Sequence, residues 1–254
     1  MQINKFKKIG NNKYKIMFDN TELVLYEDII LKYDLLIKKE VNEKLIDEII
    51  NENNYYSAYD KSLSYIESKL RTKKEIIEYL KRLGYDNKYI DYSIEKLNKL
   101  GLLNDKLYVN SYINDKINLS LDGPYKIKNN LMNLEIDERV VDEYLNKIED
   151  SIWDKRVDRI IDKKKNVMNS KSYYMFVNKI KNDLYNLGYS KELIDNKINN
   201  IKYESNALEK DFNKAIKKYN DKNKIINYLM RKGYSYDEIL NEYRKKEIWK
   251  KVLH

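Results

Sequence analysis

The chain has 254 residues, of which 42% are hydrophobic and 36% are charged, and its formal net charge is +9. It contains no Cys, which excludes disulfides, Cys-ligated metals and thiol nucleophiles, and its single His is the last residue, His254. The six Gly residues never cluster into a phosphate-binding loop. Because little remains for catalysis, we expect a binding protein that is not an enzyme and that uses no cofactor and no metal.

Apolar runs are short along the whole chain. None approaches the roughly 18 residues that a membrane span requires, and residues 1–15 lack the apolar stretch of a signal peptide. We therefore expect a cytoplasmic protein with no membrane partner.

The positive charge is unevenly distributed. Residues 1–56 carry a net charge of −1 and residues 57–149 a net charge of 0, whereas residues 150–254 hold 25 basic against 15 acidic side chains. One interpretation of the excess Lys is a solvated surface with no partner. Its segregation favours the other interpretation, in which the C-terminal part meets a polyanionic or acidic partner.

The first 56 residues have a mixed pattern. Apolar and polar residues alternate over residues 14–18, Asp19-Asn20 supplies a turn, and a second apolar run covers residues 23–26, so a β-hairpin or small meander is predicted. Residues 27–33 predict a short helix, and Asn42 is the predicted N-cap of another. This segment is predicted to be a small α+β module.

From residue 57 onward the apolar spacing is helical. Thr72 and Glu75 form a predicted capping box, Gly84 and Gly101 are predicted helix stops, and residues 101–105 predict a turn with an N-cap. Three short helices with tight turns make one unit.

That unit recurs in one register, which residues 80–94, 131–145, 184–198 and 229–243 share. Each copy starts with Leu, has an aliphatic residue ten positions later, and has Gly at the helix stop, except that Glu135 replaces it in the second copy. The pattern predicts a mainly α protein with four tandem, helix-turn-helix-like repeats in an elongated array. We place the module at residues 1–56 and the repeats, numbered 1 to 4, at residues 57–103, 104–150, 151–204 and 205–254.

The first two repeats also carry an ordered string of motifs. It consists of residues 70–76 (Leu-Arg-Thr-Lys-Lys-Glu-Ile), Gly84-Tyr85, Ile90, Ile94, residues 101–105 (Gly-Leu-Leu-Asn-Asp), Tyr108, Tyr112, Ile113 and residues 123–127 (Gly-Pro-Tyr-Lys-Ile). Together these motifs resemble the RecX family of RecA regulators. Thr72 stands where the family usually has Ser, Asn110 replaces a small residue, and residues 124–126 are less basic than the family pattern.

The resemblance implies a function and a partner. Proteins of this family bind RecA and RecA–single-stranded DNA filaments, stop filament extension, and inhibit the ATPase, strand-exchange and coprotease activities, which modulates recombination and the SOS response. On that basis we expect a monomer that binds RecA, with weak direct DNA binding as a further property.

A helix-turn-helix-like DNA-binding repressor is the alternative. It would need one recognition helix rich in Arg, Asn and Gln, whereas the four units here resemble one another. A carboxylate nuclease would need clustered Asp and Glu, and no such motif stands out.

Basic side chains at polar positions of the repeats are the predicted contacts with RecA or DNA. Three of them, Arg71, Lys73 and Lys74, begin a predicted helix, where the helix dipole disfavours cations, so a partner is a reason for their presence. Trp153 and Trp249 are expected to pack as interfaces or caps. The full predicted partner-binding set is Arg71, Lys73, Lys74, Lys81, Arg82, Lys126, Lys128, Lys163, Lys164, Lys165, Arg231 and Lys232.

Overall fold

The computed structural model describes residues 1–19 and 21–252, with side chains to residue 246. The described part contains three strands and thirteen helices, which confirms the mainly α class with a small N-terminal α+β module. The strands are β1 (Ile3–Lys8), β2 (Lys13–Phe18) and β3 (Glu22–Tyr26). The helices are α1 (Glu27–Lys32), α2 (Glu43–Glu67), α3 (Lys73–Arg82), α4 (Asn87–Lys99), α5 (Asp105–Leu119), α6 (Pro124–Met132), α7 (Glu138–Leu145), α8 (Asp150–Met168), α9 (Tyr173–Asn186), α10 (Lys191–Asn199), α11 (Ala207–Lys218), α12 (Lys222–Arg231) and α13 (Tyr236–Val252).

The three strands form one antiparallel sheet in the order β1-β2-β3, which confirms the predicted hairpin and extends it. Ile16 at its centre pairs with Phe6 on one side and Leu23 on the other. Strand β1 was not predicted, because its two apolar residues, Ile3 and Phe6, are three apart rather than alternating. A register shift after Ile3 lets both of them pack against the same core.

Helix α2 joins the module to the first repeat as one element of 25 residues. Asn42 caps it as predicted, because the side-chain oxygen of Asn42 accepts a hydrogen bond from Leu45 N at 2.8 Å. Ile46 belongs to the core of the module, and the partly buried Ile66 packs against the core of repeat 1. These two residues are about five and a half turns apart, so they point to opposite sides, and no single apolar stripe reveals one helix. The boundary placed at residue 56 therefore falls inside a helix.

The repeat register corresponds to buried positions in every copy. Side chains at its first position, Leu80, Leu131, Leu184 and Leu229, are all 0% exposed. The aliphatic residues ten positions later are at most 2% exposed, and they are Ile90, Val141, Ile194 and Ile239. Leu80 and Ile90 belong to one hydrophobic cluster and Leu229 and Ile239 to another, so repeats 1 and 4 have separate small cores.

The turn after the second helix of each repeat has left-handed backbone. Gly188 has a φ of 83°, and Glu135 at the equivalent position has a φ of 61° although it carries a side chain. The predicted stop therefore forms with or without Gly, at a cost in backbone strain for Glu135.

The chain divides into two compact units. One contains Met1–Ser111 and Leu134–Ile136, and the other contains Tyr112–Asn133 and the described residues from Asp137 onward. Within the second unit, Trp153 is buried, as predicted for a packing residue. The Trp249 side chain and His254 lie outside the described residues.

Candidate functional site

The cations at the start of α3 have defined intramolecular neighbours. The guanidinium of Arg71 stacks on the Tyr65 ring at 3.9 Å and lies 3.3 Å from the Glu75 carboxylate, with only 19% of its side chain exposed. Thr72 and Glu75 form the predicted capping box. A carboxylate in the first turn offsets the unfavourable dipole, so Arg71 is held by local structure and a partner is not needed to explain it.

The two lysines beside Arg71 differ from each other. Lys74 Nζ lies 3.4 Å from a carboxylate oxygen of Glu135, and both residues belong to the first unit. Lys73 is exposed and forms no ion pair with the described residues. At the other end of α3, Lys81 and Arg82 are also exposed and without an ion pair there, in the last turn, where cations are favoured by the dipole.

In repeat 2 both predicted lysines form ion pairs. Lys126 Nζ lies 2.8 Å from the Asp122 carboxylate, and Lys128 Nζ lies 2.7 Å from both Glu138 and Asp142. Hydrogen bonds to Asp142 and Glu138 raise the pKa of the Lys128 ammonium above its ordinary value. Its charge is therefore already balanced within the repeat.

The basic run in α8 of repeat 3 contains one exposed cation without an ion pair among the described residues, Lys163. Lys165 pairs with Asp162 at 3.2 Å, and Lys164 pairs with Asp183 at 2.7 Å. Burial alone would raise the pKa of the Asp183 carboxyl, but hydrogen bonds from Lys164 and Lys179 outweigh it and lower that pKa. The ion pair between Lys164 and Asp183 therefore links α8 to α9.

Repeat 4 also contains one predicted cation in an ion pair and one without such a pair among the described residues. Lys232 Nζ lies 2.7 Å from Asp211 and 5.0 Å from the centre of the Tyr228 ring, and its hydrogen bond to Asp211 raises its pKa. Arg231 is exposed and has no ion pair within the described chain. Arg231 occupies the same register position as Arg82 of repeat 1.

The twelve predicted contacts therefore fall into two groups. Seven are engaged in intramolecular ion pairs, namely Arg71, Lys74, Lys126, Lys128, Lys164, Lys165 and Lys232. Five are exposed without such a pair among the described residues, namely Lys73, Lys81, Arg82, Lys163 and Arg231. The cations of these five residues can bind phosphates or carboxylates of a partner without first breaking an intramolecular ion pair.

The structure also brings three of the predicted residues together. Lys126 of repeat 2 and Lys163 and Lys164 of repeat 3 line one groove within the second unit. Spacing along the chain does not reveal this groove, because α6 and α8 are distant from each other in the sequence.

The contact between repeats 2 and 3 depends on a residue that sequence reasoning missed, Arg156 of α8. Its guanidinium donates to carbonyl oxygens at and just beyond the end of α5, with distances of 2.7 Å to Ser120 O and 3.3 Å to Asp122 O and a further bond to Ile117 O. Carbonyls at a helix end lack intrahelical donors, so one guanidinium satisfies several at once. The same Lys-rich helix also contains Arg159, and nothing in the sequence distinguishes Arg156 for such a role.

Backbone groups complete this junction. Gly123 N donates to Leu187 O at 2.6 Å and Tyr125 N donates to Gly188 O at 3.0 Å. The Tyr189 hydroxyl donates to Leu121 O at 3.1 Å. The turn of repeat 3 is therefore bonded directly to the start of α6 in repeat 2.

Two further properties of the described residues concern other classes of function. These residues contain no group of three or more His, Cys, Asp or Glu side chains placed to hold a metal ion. No described helix combines the length and the apolar character needed to cross a membrane.

Comparison with known proteins gives a consistent family. Residues 58–97 match the model of the first three-helix domain of RecX. The regulatory protein RecX of Lactococcus lactis subsp. lactis (strain IL1403) is 32% identical over 157 residues, which are 61% of this chain and 57% of that protein. The chain thus matches little more than half the length of that relative.

Two crystal structures agree with this match. A regulatory protein RecX superposes with a TM-score of 0.60 over 76% of this chain and 97% of its own, and at 22% identity it supports the fold alone. RecX from Lactobacillus salivarius has a TM-score of 0.53 and 33% identity, over 58% of this chain and 96% of its own. Three-helix repeats, the matched domain model and this coverage lead to one conclusion: the chain belongs to the RecX family.

Proposed function

We propose that this protein binds RecA and RecA–single-stranded DNA filaments and inhibits filament extension, ATPase, strand exchange and coprotease activity. Through these effects it modulates recombination and the SOS response in the cytoplasm, acting as a monomer without turnover of its own. The observation that carries the proposal is membership of the RecX family, whose relatives are named regulatory proteins.

The position of the five predicted contacts that lack an ion pair among the described residues supports a filament as the partner. They are divided among repeat 1 (Lys73, Lys81 and Arg82), repeat 3 (Lys163) and repeat 4 (Arg231). A repressor concentrates base-reading side chains on one helix, whereas contacts distributed over several repeats suit a long, repetitive polyanionic surface. The excess of ten positive charges in residues 150–254 favours the same partner.

Co-sedimentation tests the proposal. The protein is mixed with RecA–single-stranded DNA filaments, with RecA alone, with naked single strands, and with random and defined duplexes. We expect it to sediment with the filaments and to bind naked DNA weakly and without sequence preference. Tight binding to one defined duplex, with none to RecA, would make the protein a repressor and contradict the proposal.

A further inference from the structure

The groove lined by Lys126, Lys163 and Lys164 has an apolar floor, which has no role in the ion pairs described above. The groove has a volume of about 540 Å³. Leu121, Ile160, Val167 and Leu187 contribute to its lining. Leu121 is 40% exposed and Val167 73% exposed, although branched aliphatic side chains are ordinarily buried. The groove therefore offers an unfilled apolar surface to solvent.

The charges that line this floor are mostly positive. Three lysines line the groove, and Asp183 is the one carboxylate among its described lining residues. Lys164 is paired with Asp183 and Lys126 with Asp122, whereas Lys163 forms no ion pair with the described residues. An entering carboxylate can therefore bind Lys163 without displacing an internal partner.

The chemistry of the lining distinguishes a protein ligand from a nucleic acid. Single-stranded nucleic acids stack their bases on aromatic rings, and the described lining residues of this groove include no aromatic side chain. Aliphatic floors of this size instead receive the apolar side chains of a peptide segment, with polar contacts at the edge for orientation. Apolar anchors together with acidic residues describe an amphipathic acidic segment.

We propose that this groove docks an acidic amphipathic segment of the protein component of the filament. Apolar side chains of that segment fill the space between Leu121 and Val167, and a carboxylate of the segment pairs with Lys163. This inference rests on the proposed function, because it names where the filament protein is held.

Photo-crosslinking in the 254-residue chain tests the site. A benzophenone amino acid replaces Val167 in one variant and Lys155 in a matched control, an exposed residue of the same helix that does not line the groove. Each variant is irradiated with RecA–single-stranded DNA filaments, the crosslinked peptide is identified by mass spectrometry, and RecA ATPase is measured in parallel. We expect residue 167, and not residue 155, to crosslink to an acidic segment of RecA.

Other outcomes overturn the inference in distinguishable ways. Crosslinks from residue 167 to DNA or to a segment without acidic residues, or their absence while ATPase remains inhibited, would reject the groove but leave the proposed function intact. Failure of the wild-type chain to inhibit or bind RecA would reject both. Independently, Lys163→Glu is expected to weaken filament binding about tenfold at low salt, and Lys155→Glu less than twofold. Equal effects of the two reversals would also reject the groove, and circular dichroism checks that both variants are folded.

Discussion

Replacement of Gly188 by Ala tests whether the turn of repeat 3 is bonded closely to repeat 2. Gly188 has a φ of 83°, and a Cβ atom there would lie 2.4 Å from Lys126 N and 2.6 Å from Lys126 Cβ. Gly84 of repeat 1 is a matched control, because its φ is 85° and a Cβ atom would meet nothing within 4 Å. Both substitutions impose the same left-handed strain, and only Gly188→Ala adds a steric conflict.

The expected magnitudes follow from this geometry. Left-handed backbone costs a residue with a side chain about 1–2 kcal/mol, which is the whole effect expected for Gly84→Ala. Gly188→Ala must also separate the junction and weaken the hydrogen bonds from Gly123 N and Tyr125 N, each contributing about 0.5–1.5 kcal/mol. We therefore expect Gly188→Ala to lower the free energy of unfolding by about 2–5 kcal/mol.

Urea denaturation followed by circular dichroism measures both variants. In a Trp249→Phe background, fluorescence of buried Trp153 in repeat 3 adds a local report for Gly188→Ala. Gly233→Ala should be intermediate, because its Cβ atom would meet the Ser172 hydroxyl at 2.9 Å and side-chain atoms of Tyr174, which can move more readily than backbone. Equal destabilisation by Gly84→Ala and Gly188→Ala would refute the close junction.

Three further predictions concern strain, charge and pH. Glu135→Gly should raise the free energy of unfolding, measured by urea denaturation, by up to about 1–2 kcal/mol, because it relieves left-handed backbone strain and removes only an exposed ion pair. A lower free energy of unfolding would contradict this prediction. Arg231→Ala should weaken filament binding and lower the slope of log affinity against log salt by about 0.7–0.9 for each phosphate that the variant no longer neutralises. Arg82→Ala, at the equivalent position of repeat 1, should have a smaller effect. The reverse order of the two effects would place the main binding surface in repeat 1. Burial raises the pKa of the Asp183 carboxyl, but its lysine partners lower it by more, so the folded-state pKa is below the ordinary value of 3.8. The contribution of Asp183 to stability is therefore complete above pH 3.8 and is lost as the pH falls through the lowered pKa. Asp183→Asn should remove that part of the acid unfolding profile, and an unchanged profile would refute this prediction.

The elements that the sequence predicted well depend on neighbours in the chain. The capping box of Thr72 and Glu75, the N-cap Asn42 and the turn at Gly188 are each specified within a few residues. The register beginning at Leu80 was readable because four copies repeat it, so agreement among copies separated buried positions from chance.

The features that were missed depend on residues far apart in the chain. Arg156 bonds the end of α5 across nearly forty residues, and Lys164 pairs with Asp183 on another helix. Neither partner can be identified from spacing, because a chain with 36% charged residues is compatible with many alternative pairings. Division of the predicted cations into paired and unpaired groups therefore required the three-dimensional structure.

RecA ATPase on single-stranded DNA, measured with this protein titrated in at substoichiometric amounts, tests the central claim most directly. If the protein binds the filament and blocks its extension, one molecule affects many RecA subunits, so hydrolysis should fall well before the two proteins are equimolar. ATPase and strand exchange that stay unchanged at saturating protein would contradict the claim that it inhibits RecA.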